Sequence, residues 1–148
     1  MPLGSKVFQY QTELEWVGGR ECRVGAPGRP DLTVTPPEDF PGANAMHWSP
    51  EHLFTASLQS CTMLSFLAHC AHNGVEVVSY QSEAAGELAR REDDRRYAFR
   101  RVAMIVTATV AGGHAHLAQG LTAKAERDCF ISASTNAEIQ VDWDIVEE

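Results

Sequence analysis

Residues 49–74, SPEHLFTASLQSCTMLSFLAHCAHNG, limit the fold more than any other stretch of the chain. Their spacing predicts one long helix with both ends marked. Ser49 suits the N-cap, Pro50 the first helical position, and Glu51 places negative charge in the first turn. Asn73-Gly74 supplies a left-handed stop. Over such a span the helix rises on the order of 36 Å. Its apolar residues (Leu53, Phe54, Leu58, Met63, Leu64, Phe66, Leu67, Ala68, Ala71) occupy most of the circumference rather than one stripe. That pattern belongs to a helix covered on nearly all sides. His52, Gln59, Ser60 and His69 interrupt it, which argues against a membrane span.

The flanking segments read as strands. Residues 6–17 alternate, with Phe8, Tyr10, Thr12, Leu14 and Trp16 on one face and Gln9, Gln11, Glu13 and Glu15 on the other. Gly18-Gly19 signals a two-residue hairpin, with 20–24 returning antiparallel. A short strand is expected at 32–35, and Pro36-Pro37 opens a proline-rich loop over 36–48. Beyond Gly74, strands are expected at about 75–90 and 97–111, joined by the charged tip Arg90–Arg96. Leu117, Leu121 and Ala125 predict a helix over 114–127. A last strand alternates Ile139, Val141, Trp143 and Ile145 against Glu138, Gln140, Asp142 and Asp144. A length of 148 residues fits one domain, 1–148, of α+β class with antiparallel sheet. One sheet cannot cover a helix that is apolar all round. A second copy of the chain can, so a homodimer is expected with two long helices side by side.

Charge and composition narrow the function. Twelve basic against 20 acidic residues leave a formal charge of −8, which disfavours nucleic acid and anionic membranes as partners. The six arginines between 90 and 101 are interrupted by Glu92-Asp93-Asp94 and read as a solvated hairpin tip. The opening residues lack an apolar run of signal-peptide length, so a cytoplasmic protein with reduced thiols is expected. His69, Cys70 and His72, like His114 and His116, lack metal-site spacing, and the four histidines read as solvated residues near helix ends; no metal or organic cofactor is expected.

Of the four cysteines, Cys70 reads as a buried small hydrophobe and Cys22 as a bystander. Cys61 sits mid-helix, where the helix dipole gives no help and burial raises a thiol's pKa. A reactive Cys61 therefore needs a cation from elsewhere in the fold. Arg20 is a candidate, with Glu51 to orient it.

Gly18-Gly19-Arg20 after a strand, then Ser49-Pro50-Glu51-His52-Leu53 opening a helix that carries Cys61, then Cys129 after a short helix, resemble the OsmC/Ohr family. The resemblance implies an intertwined homodimer with antiparallel sheets around long central helices. It also implies a thiol-dependent peroxidase for organic hydroperoxides, with Cys61 as the peroxide-attacking cysteine, Cys129 as the resolving one, and Arg20 and Glu51 as a polar pair. A Cys61 sulfenic acid would condense with Cys129 to a disulfide, which a dithiol reductant reopens. Phe54, Leu58 and Leu64 beside Cys61 would favour alkyl or fatty-acid hydroperoxides. One position departs from the pattern: Phe130-Ile131 follows the second cysteine where well-known members have proline. Two rival readings are a non-catalytic binder of apolar small molecules on the same dimeric fold and a purely structural dimer.

Overall fold

The computed structural model describes Gly4 and residues 6–148. The chain forms two compact units, one running through Leu53 and the other from Phe54 to Glu148. The boundary falls inside the long helix.

The first unit is a three-stranded antiparallel sheet in the order β1 (Glu13–Gly18), β2 (Glu21–Gly25), β3 (Leu32–Val34). The hairpin turn comprises Gly19 and Arg20, one residue later than the Gly-Gly pair suggests, because Gly18 itself pairs with Glu21. Both glycines take positive φ, 117° at Gly18 and 53° at Gly19, and the Trp16 indole N–H closes the turn on the Gly19 carbonyl at 2.9 Å. Residues 6–12 alternate as expected but form no strand; the sheet begins at Glu13. Alternation makes a strand only where a neighbouring ladder accepts its N–H and C=O groups. Beyond β3, the Thr35 N–H donates to the Trp48 carbonyl at 2.9 Å, drawing the 36–48 loop back to the start of helix α1 (Pro50–His72).

Both ends of α1 are capped as the sequence predicts. Ser49 Oγ accepts the His52 N–H at 3.1 Å. At the other end Val75 N–H donates to Cys70 and Gly74 N–H to Ala71, with Gly74 at φ 72°, the paired bonds of a Schellman stop.

In the second unit a long hairpin, β4 (Val77–Arg90) and β5 (Tyr97–Val110), pairs antiparallel. Helix α2 (Ala115–Arg127) and a single 3-10 turn at Ser132–Ser134 lead to β6 (Glu138–Glu147). β6 pairs with β5 in parallel, from Arg101 with Glu138 to Val110 with Glu147, so the sheet is mixed rather than antiparallel. The α2 crossover returns the chain to the starting end of β5, which is what a parallel neighbour requires.

One stripe of α1, Leu58, Thr62, Phe66 and Cys70, is fully buried. Phe66 meets Trp143 and Tyr80 at ring distances of 4.9 and 6.0 Å, above Ala108 and Val110 of β5 and Ala118, Leu121 and Ala125 of α2. Leu58 packs with Val102 and Met104, and Phe54 stacks on Phe99 at 4.5 Å. Leu117, expected on the packed face of α2, is exposed, and Ala118 and Thr122 are buried with Leu121 and Ala125. A four-residue spacing drifts by about 40° per step, enough to carry Leu117 off the stripe. The expected cover on all sides of α1 is not met within one chain: Leu64 is 60% exposed.

Candidate dithiol site

Cys61, Ser65 and His69 recur every four residues and form a row along α1. The segment 125–131, which ends α2 and precedes the 3-10 turn, lies against this row. Ser65 Oγ donates to the Ala125 carbonyl at 2.7 Å. His69 Nε2 donates to Asp128 Oδ2 at 2.8 Å. Thr62 Oγ1 lies 3.8 Å from Cys129 Sγ. The Cys129 thiol lies near enough to that of Cys61 to oppose its ionisation, and the backbone N–H groups of Ile131 and Phe130 lie near enough to the Cys61 sulfur to favour it.

The electrostatics at Cys61 are opposed. Burial pushes its thiol above the ordinary range and the adjacent Cys129 thiol adds to the rise, while the two N–H groups pull it down without offsetting the whole. Burial alone pushes Cys70 up to about 11, which makes it the inert thiol expected. Asp128 is held at about 2, first by the Arg127 guanidinium and then by His69. It is therefore a carboxylate at any physiological pH. All four cysteines are free, Cys61 and Cys22 partly accessible and Cys70 and Cys129 buried.

A pocket of about 430 Å³ opens beside Cys61, lined by Leu64, Ser65, Ala68, His69, His72, Asp128 and Phe130. Of the three residues expected to shape it, Leu64 lines it. Phe54 and Leu58 do not; they face β5 in the core. His69 is not a solvated helix-end histidine either, since Asp128 engages it and its side chain is 22% exposed. Sequence spacing carries no sign of that pair, whose members are 59 residues apart. In the first unit, Arg20 is exposed in the β1–β2 turn, its guanidinium 3.4 Å from the Pro41 carbonyl, and Glu51 is half-buried in the first turn of α1. Among the described residues, no group of three or more His, Cys, Asp or Glu side chains could hold a metal ion.

Two neighbouring thiols, one on a helix and the other on a crossover, make a candidate dithiol site on an α+β scaffold. The sequence profile of the OsmC-like protein family matches residues 42–144, and the chain belongs to that family. The matched span includes Glu51, Cys61 and Cys129 and leaves out Arg20. Solved structures share the fold at low identity. An OsmC-like protein of unknown function from Vibrio cholerae superposes with a TM-score of 0.84 at 19% identity, covering 93% of this chain and 100% of its own. An organic hydroperoxide resistance protein from Elizabethkingia anophelis, with crystallant-derived thiocyanate bound, gives 0.72 at 20% identity, covering 98% and 100%. The organic hydroperoxide resistance protein OhrB of Bacillus subtilis gives 0.65 at 19%, covering 93% and 98%. No curated protein matches the chain in sequence.

Proposed function

We propose that the protein is a cysteine-dependent peroxidase that reduces organic hydroperoxides. The observation that carries this reading is the closeness of the Cys61 and Cys129 thiols beside a pocket. The chain's family and the hydroperoxide-resistance proteins that share its fold support it. The Cys61 thiolate attacks the terminal peroxide oxygen; the O–O bond breaks, the alcohol leaves after taking a proton, and Cys61 becomes a sulfenic acid. Cys129 then attacks that sulfur, releasing water and forming the Cys61–Cys129 disulfide. A dithiol reductant reopens it by two thiol–disulfide exchanges. The apolar wall of Leu64, Ala68 and Phe130 suits an alkyl or fatty-acid chain.

Burial leaves Cys61 a poor thiolate, so a cation is required, and Arg20 with Glu51 as its orienting carboxylate is the proposed source. A homodimer completes the reading. Trp16 at 70%, Leu64 at 60% and Phe130 at 78% exposure are large apolar side chains that a second copy would cover. Four free thiols fit a reducing cytoplasm. No helix among the described residues is long and apolar enough to cross a membrane.

The test is a free-thiol count with intact mass and peptide mapping after one equivalent of an organic hydroperoxide. The expected product has two fewer thiols, joined Cys61 to Cys129. Four unreacted thiols together with tight binding of the corresponding alcohol would support the non-catalytic binder instead.

A further inference from the structure

We infer that His69 is a positioning residue for the second thiol. Through Asp128 it holds the segment carrying Cys129 and the Phe130 and Ile131 amides against α1, in register with Cys61. The role in disulfide closure rests on the peroxidase reading; the role in presenting the two amides does not.

Residues 128–131 link the last turn of α2 to the 3-10 turn, with Asp128 capping the one and Ile131 the other. Their backbone ties are local: the Asp128 N–H donates to the Lys124 carbonyl at 3.0 Å, the Ser134 N–H to the Ile131 carbonyl at 3.0 Å and the Ser134 Oγ to the Phe130 carbonyl at 2.7 Å. The Cys129 N–H reaches the Glu126 carbonyl at 3.4 Å, and the Cys129 carbonyl accepts from Ala133 at 3.1 Å. Both partners belong to the same stretch of chain and move with it. Arg127 grips Asp128 at 2.9 and 3.0 Å, but it is the adjacent residue and also moves with it. Ser65 anchors Ala125, inside α2, and Thr62 approaches Cys129 only at 3.8 Å. Beside the packing of Ile131 on the cluster that contains Leu58, the 2.8 Å bond from His69 is the short hydrogen bond from α1 to the segment itself, and it falls on the residue immediately before Cys129. An ionised acceptor makes such a bond short and strong. Nε2–H donates whether the imidazole is neutral or protonated, so the tie needs no particular charge on His69.

The disulfide step is sensitive to this placement. Condensation of the Cys61 sulfenic acid with the Cys129 thiol releases water and needs Cα atoms within about 4.4–6.8 Å in a restricted orientation. A displacement of about 1 Å costs on the order of a hundredfold in a positioned reaction. Peroxide attack makes no such demand on Cys129. Loss of the tie should therefore slow disulfide closure beyond any effect on Cys61 ionisation.

The experiment compares wild type, His69→Leu and His69→Gln, the last keeping an N–H donor near the place of Nε2. The first readout is the Cys61 alkylation rate against pH in the reduced protein, which needs no peroxide. The second is the lifetime of the Cys61 sulfenic acid, trapped with a cyclic dione after one equivalent of tert-butyl hydroperoxide. His69→Leu is expected to move the alkylation profile to higher pH and to lengthen the sulfenic acid lifetime at least tenfold. His69→Gln should stay close to wild type in both. A His69→Leu protein with the wild-type profile and lifetime overturns the inference. If wild type loses no thiols to the hydroperoxide, the peroxidase reading fails, and the alkylation profiles still decide whether His69 positions the amides. Should His69→Leu fail to fold, Asp128→Ala, which leaves α1 unaltered, is judged by the same two readouts.

Discussion

The amide of Ile131 offers the sharpest probe of how this chain treats its helix thiol. Exchanging that amide for an ester removes the N–H and keeps the isoleucine side chain, which packs beside Leu58, Val102 and Met104. The N–H is the larger of the two backbone contributions that lower the Cys61 pKa. A hydrogen bond to a charged group contributes about 1.5–3 kcal/mol. Cys61 is only half-buried, so the low end applies, about 1.5 kcal/mol after solvent screening. With about 1.4 kcal/mol per tenfold, the thiolate fraction at a fixed pH below the pKa should fall about tenfold. The assay is the iodoacetamide alkylation rate of Cys61 from pH 6 to 10, followed by peptide mass. The ester protein should show the wild-type profile displaced to higher pH, with the same plateau once the thiol is fully ionised. An unchanged profile would mean that the amide does not serve the sulfur. A lowered plateau would mean that access rather than ionisation had changed.

Arg20→Ala tests the proposed cation in the same assay: the Cys61 profile should move to higher pH with the fold intact, and an unmoved profile would remove Arg20 from the site. Phe66→Ala should cost about 3–5 kcal/mol in urea unfolding, because a fully buried ring loses its contacts with Trp143 and Tyr80. A loss below about 1 kcal/mol would show that the three rings do not form a packed cluster in solution.

The long helix was legible because its ends are chemical signals: a capping serine, a first-turn proline, and a glycine that can take positive φ. Its phase was not legible. An all-round apolar helix does not say which stripe meets the sheet, so Leu58 and Phe54 looked as available to a pocket as Leu64. The position of β5 decides that. Alternation likewise predicted β6 but not its direction, since a side-chain period of two is common to parallel and antiparallel ladders. The strand–helix–strand order around α2 was the sign of a parallel return. Alternation over 6–12 indicates a strand only if something pairs with it, and its own chain supplies no partner ladder there among the described residues. The two cysteines could be placed near each other by resemblance alone. The His69–Asp128 tie had no local pattern, because α2 and its crossover bring the two together.

The parallel return has a colloidal consequence. It makes β6 the outer strand of its sheet, with ten residues of backbone along one side that no described strand pairs. Open ladder edges of that length invite the same edge of another molecule. Here Glu138, Asp142, Asp144 and Glu147 lie along the strand, so two such edges meeting at neutral pH would bring eight carboxylates together. The repulsion is screened by salt. The strand is protected in dilute buffer and loses that protection in concentrated salt, conditions in which edge-to-edge association would begin there.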